Sequence, residues 1–124
     1  MVEEIQIRLA VMWIALMLTY LLGDVLRIFA GDFKPGEIGG MRATPMIWFA
    51  AALVMLVPIA MAVLSVTLAG PVVRWVHIVA AVGLFGFNLI GLPTYPSLYD
   101  RFLIVVGLVF NVLTIWTAWS WQTA

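Results

Sequence analysis

Cysteine is absent from the 124 residues of this chain. That excludes disulfides, thiol redox chemistry and thiolate metal sites. Histidine occurs once, at His77, and one imidazole holds a transition metal only where carboxylates converge on it. No metal and no cofactor are expected. Charge is scarce too: 10% of the residues are Asp, Glu, Lys or Arg, against about a quarter in a soluble domain. Six basic and six acidic residues cancel, so no basic surface is available for a nucleic acid. No nucleophile–base–acid constellation is present either, because Ser65 and His77 have no acidic residue to orient them. Gly36, Gly39 and Gly40 lack the strand and lysine that a phosphate-binding loop requires. An enzyme therefore ranks behind binding and assembly roles.

Apolar residues fill the space that charge leaves. They make up 65% of the chain, and mean hydropathy is +1.17. A hydrocarbon core of about 30 Å needs roughly 20 apolar residues in a helix. Four stretches reach that length: 9–29, 45–68, 72–92 and 99–119. The opening Val2-Glu3-Glu4 lacks the basic region of a cleavable signal, so the first stretch reads as a retained span. Residues 30–44, with Pro35 and several glycines, read as a loop. Thr44-Pro45 is a cap followed by proline at the first helical position. Ala69-Gly70-Pro71 and the run from Pro93 to Ser97 break the remaining spans. Short connections force antiparallel neighbours, which predicts an all-α, integral membrane, up-down-up-down four-helix bundle as a single transmembrane domain.

Two membrane faces follow from this plan. Face A carries both chain ends and the second turn; face B carries the 30–44 loop and the Pro93–Ser97 turn. Trp13, Trp75, Trp116, Trp119 and Trp121 fall toward face A, as an interfacial aromatic belt would. Basic residues occur on both faces, with Arg8 and Arg74 at A and Lys34 and Arg42 at B, beside Arg27 and Arg101 just inside the helices.

Spacings of three and four mark the inward side of a bundle helix. In the first span they collect Trp13, Met17, Tyr20, Asp24 and Arg27; in the second, Trp48, Met55, Pro58 and Ser65. The third yields Arg74, His77, Ala81, Leu84, Asn88 and Gly91, and the fourth Asp100, Ile104, Gly107, Asn111, Thr114 and Ala118. A rise of about 1.5 Å per residue puts Asp24 about 7 Å and Asn88 about 9 Å from the midplane toward face B. Tyr20, Met55 and Gly107 fall within about 3 Å of the midplane, with Asn111 slightly beyond it. These positions predict a polar pocket opening toward the 30–44 loop. Tyr20, Asp24, Asn88, Asn111 and Met55 are its candidate ligand-binding residues.

Each polar group also has a structural reading. Asp24 and Arg27, spaced i, i+3, are expected as an intrahelical ion pair with Arg27 snorkelling to the headgroups. Asp100 and Arg101 are expected as a second structural pair at a helix start, where aspartate suits the positive end of the dipole. Asn88 and Asn111 serve equally as interhelical glue. His77, one turn inside face A, reads as a satisfied structural histidine.

The order and spacing of several short motifs are similar to a family of small bacterial four-span membrane proteins defined as a domain of unknown function. The matching residues are Leu16-Met17, Tyr20 and Asp24, then Met55, Pro58, Met61 and Leu64-Ser65. Pro71, Arg74-Trp75-Val76 and Ile78 follow, and Trp116, Ala118-Trp119 and Trp121 close the series. The resemblance implies a four-helix fold in a bacterial plasma membrane and supplies no activity. Relatives carry an acidic residue midway along the last helix, where this chain has Gly107 and Asn111.

Two functions compete on this reading. One is binding or transport of a small or lipophilic molecule in the intrabundle pocket. The other is a non-catalytic accessory or assembly role in which the polar residues are structural. The expected partners are the lipid bilayer, a small-molecule or lipid ligand and a second copy of the chain, with no nucleic acid.

Overall fold

The computed structural model describes residues 2–32, 36–38, 41–95 and 97–121. Lys34, Pro35, Gly39, Gly40 and Pro96, all used in the sequence reading, lie outside that set. Four helices make up the fold: α1 (Glu4–Ala30), α2 (Pro45–Thr67), α3 (Pro71–Gly91) and α4 (Leu98–Trp119). All four are long and apolar enough to cross a membrane. The molecule is an all-α, four-helix, multi-pass membrane fold.

Local chemistry sets the helix ends. The α1 start is held by the Glu3 N–H, which donates to Gln6 Oε1 at 2.8 Å. Its far end closes on Gly31 at φ 78°, a left-handed conformation that glycine adopts without a Cβ penalty, and Asp32 N–H donates back to the Arg27 carbonyl. Thr44 Oγ1 accepts from Ile47 N–H at 3.3 Å to cap α2, with Pro45 in the first turn. Within the connecting loop, β1 (Glu37–Ile38) and β2 (Met41–Arg42) pair antiparallel, with Glu37 opposite Arg42. This minimal ladder sits where the sequence predicts loop alone. A short 3-10 turn, Leu92–Thr94, extends α3 toward α4.

Helix α1 packs along both α2 and α4, and α4 packs along both α1 and α3. Helices α2 and α3 follow one another in the chain yet scarcely touch. The spatial order is therefore α2–α1–α4–α3, with a gap between the two outer helices. Helix α2 buries the least, with Pro58, Met61 and Ser65 alone fully covered. The core consists of Trp13 and Leu16 of α1, Met61 of α2, and Ala81 and Leu84 of α3. A second cluster of Leu9, Ile78, Ala118 and Trp121 lies nearer face A.

Outward positions such as Ile14, Leu18, Leu53, Val63, Val79 and Val109 are exposed and apolar, as a lipid-facing surface requires. Hydroxyls inside the spans bond to their own helix: Thr19 to the Ala15 carbonyl, Ser65 to Met61 and Thr114 to Phe110. That satisfies each group where lipid offers no partner.

The tryptophans depart from the predicted belt. Trp75, Trp116 and Trp119 are exposed, but Trp13 and Trp121 are buried in the core. The reason is His77, which both indoles flank. Trp13 Nε1 donates to His77 Nδ1 at 2.9 Å, and the Trp121 ring lies 6.1 Å from the imidazole. Accepting at Nδ1 places the neutral imidazole's proton on Nε2, which has no partner among the described residues. Arg74 ties α3 to the end of α4. Its Nε donates to the Ala118 carbonyl at 3.0 Å and its Nη2 to Trp119 at 2.7 Å, placing a cation on the negative end of that helix.

Candidate functional site

In the face-B half the four helices line an open cavity of about 340 Å³. Ligand pockets commonly span about 300–1,000 Å³. Its floor is formed by Tyr20 and Leu84, and the core of Trp13, Leu16 and Met61 lies beneath. Val54 and Met55 of α2, Phe87 of α3, and Leu103 and Ile104 of α4 make apolar walls. Asp24, Arg27, Tyr95 and Asp100 line the outer, polar end.

Small residues make room for this arrangement. A Cβ added to Gly107 would lie 3.5 Å from Tyr20 Cε1 and 3.6 Å from Leu16 Cδ1, so the tyrosine ring rests directly on α4. Gly23 brings α1 up to Leu103 in the same way, at 3.7 Å. Tyr20 thereby reaches across to α3, where its hydroxyl accepts from Asn88 Nδ2 at 2.6 Å. The same amide nitrogen donates to the Leu84 carbonyl at 2.9 Å, which fixes its direction. Pro58 has no N–H to offer the carbonyl of Val54, so a backbone acceptor at floor level lacks its usual helical donor.

At the polar end Arg27 binds Asp24 through Nη2, and its Nη1 lies 3.6 Å from Asp100 Oδ1. Its guanidinium also sits over the Tyr95 ring, 5.4 Å from the centroid. The Asp24 side chain is half exposed, whereas Asp100 retains 4% of its surface. The predicted Asp24–Arg27 pair forms. The predicted Asp100–Arg101 pair does not: Arg101 turns outward and donates from Nε to the Tyr95 carbonyl at 2.6 Å. Adjacent residues on a helix point about 100° apart, so Asp100 faces the interior while Arg101 cannot follow it. Beside this cluster, Asp32 accepts from Ser97 at 3.2 Å and from the Tyr99 hydroxyl, joining the end of α1 to the start of α4.

Four of the five candidate ligand-binding residues (Tyr20, Asp24, Met55 and Asn88) line the one cavity. Asn111 does not. It is fully buried one helical turn beyond Gly107, and neither its amide nitrogen nor its oxygen has a partner among the described residues. Its side chain lies near the Tyr20 hydroxyl without forming a hydrogen bond of good geometry to it. Sequence reasoning missed Tyr95 and Phe87, whose positions depend on the turn after α3 and on the gap beside α2. No group of three or more His, Asp or Glu side chains suited to a metal occurs among the described residues.

The chain belongs to the family of unknown function DUF6326, whose sequence model covers residues 2–124. No curated protein and no solved structure matches it.

Proposed function

We propose that this DUF6326 protein binds a small amphipathic molecule inside the bilayer of a bacterial plasma membrane, in the face-B half of its bundle. The observation that carries this reading is a cavity with apolar walls, a polar floor and a charged outer end. Carboxylates at membrane depth are expensive and tend to mark functional sites. Asp100 and Asp24 stand at the cavity's end, while the hydroxyls elsewhere in the spans are satisfied by their own helices. The cavity runs along α1 from Thr19 to Arg27, or about 12 Å at 1.5 Å per residue. That is less than half of a hydrocarbon core of about 30 Å. Binding from one leaflet suits this depth. Passage to face A would require the packed Trp13, Leu16, Met61 and Leu84 side chains to part.

The test is ligand-dependent stability of the purified protein in nanodiscs, together with mass spectrometry of small molecules that co-purify. A ligand at a hundred times its Kd stabilises the folded state by about 2.7 kcal/mol, which a thermal melt resolves. Leu103→Trp, which fills the cavity from α4, should erase that stabilisation while the protein remains folded. If no amphiphile raises the midpoint, or if Leu103→Trp leaves the rise unchanged, the reading is wrong.

A further inference from the structure

Among the described residues, the polar end of the cavity is not electrically balanced. Two carboxylates, Asp24 and Asp100, face one guanidinium, Arg27, which leaves a formal charge of −1. Counting the neighbours Asp32 and Arg101 gives three acids against two bases and the same result. Arg27 is already engaged by Asp24, by Asp100 and by the face of Tyr95. An anionic head would have to displace those contacts. Asp100 is different: it accepts no hydrogen bond from the described residues and meets Arg27 only at 3.6 Å. It is 4% exposed and lines the cavity. The rings of Tyr20, Phe87 and Tyr95 line the same space, and aromatic faces with carboxylates are the chemistry that recognises ammonium groups.

The gap between the outer helices supplies a way in. Phe87 and Ile90 line the cavity yet are 62% and 79% exposed, so they form its rim. They belong to α3, and the facing wall is Val54 and Met55 of α2, the helix that α3 scarcely touches. A rim of bulky apolar residues on the lipid-facing side admits hydrocarbon.

Building on the pocket reading above, we propose that the occupant is a single-chain amphiphile with an ammonium head. It passes sideways from the face-B leaflet between α2 and α3. The head then lies against Asp100, beside Asp24, and the chain leaves past Phe87 along Val54 and Met55.

Dodecyltrimethylammonium, dodecyl sulfate and dodecyl maltoside are titrated onto the protein in phosphatidylcholine nanodiscs, with empty nanodiscs subtracted. The ammonium compound is expected to bind at least tenfold more tightly than the sulfate. Asp100→Asn, or Asp24→Asn should the first not fold, should reduce that preference to less than threefold. The absence of native cysteine allows a second arm. Val54→Cys/Phe87→Cys, bridged by a bismaleimide, should take up the ammonium compound at least tenfold more slowly than the same protein unbridged. Equal or tighter binding of the sulfate overturns the ammonium head. Unchanged uptake after bridging overturns lateral passage. Both results leave the pocket standing, whereas failure of all three amphiphiles to bind removes the pocket reading itself.

Discussion

The Trp13–His77 hydrogen bond offers the sharpest test of the packing. Both residues are fully buried and the bond is 2.9 Å long. Trp13→Phe removes the donor and leaves both imidazole nitrogens without a partner, since Nε2 already has none among the described residues. An unsatisfied buried group costs about 1–3 kcal/mol, and the lost pyrrole ring adds to that, so about 3 kcal/mol is expected in total. His77→Leu orphans the indole N–H but also removes the unpartnered Nε2–H. These two effects nearly offset, and about 1 kcal/mol is expected. Interhelical hydrogen bonds in membrane bundles average about 0.6 kcal/mol and reach about 1.7 kcal/mol. The double variant should therefore fall short of the summed single losses by about 1 kcal/mol. The measurement is unfolding by sodium dodecyl sulfate in dodecyl maltoside micelles, followed by far-ultraviolet circular dichroism so that the lost indole does not bias the signal. Strict additivity, or a larger loss from His77→Leu than from Trp13→Phe, would refute the reasoning.

Arg27→Gln strips a nearly buried Asp100 of its counter-charge, and the same unfolding assay should register a loss of about 2 kcal/mol. This is below the 3–5 kcal/mol of a fully buried pair, because Arg27 is 24% exposed and Asp24 50%. Adding Asp100→Asn should restore most of the loss, and no recovery would mean that Arg27 acts through its packing on Tyr95 instead. Gly107→Ala should be neutral or slightly stabilising, because its Cβ would meet Tyr20 and Leu16 at ordinary contact distance. Gly107→Leu should cost about 1–3 kcal/mol by overpacking. It should also push Tyr20 off Asn88, visible as a changed tyrosine environment in near-ultraviolet spectra.

Part of the site was legible in the chain before any coordinates. Along α4 the predicted inward stripe is Asp100, Ile104, Gly107, Asn111, Thr114 and Ala118, and all but the half-buried Ile104 are buried; along α3 His77, Ala81 and Leu84 agree as well. On α1 Trp13 agrees, and beyond it Leu16 and Gly23 are buried where Met17 and Asp24 were expected. Leu16 and Gly23 meet Gly107 and Leu103 of α4, whereas Asp24 lines the open cavity and so stays exposed. The Asp100–Arg101 pair failed for a related reason, since adjacency in sequence says nothing about which helix supplies the counter-charge.

The sequence by itself determined four spans, their ends and the concentration of polar groups in the face-B half, because hydrophobic length and turn chemistry are local properties. Tertiary packing decided that α1 and α4 are the inner pair and that α2 stands apart from α3. It also decided that Arg27 serves Asp100 and that Asn111 lies outside the cavity. In lipid the outer surface is as apolar as the core, so composition cannot say which apolar face meets a helix and which meets the bilayer. That choice falls to shape, to small residues such as Gly23 and Gly107, and to the few polar bonds that cross between helices.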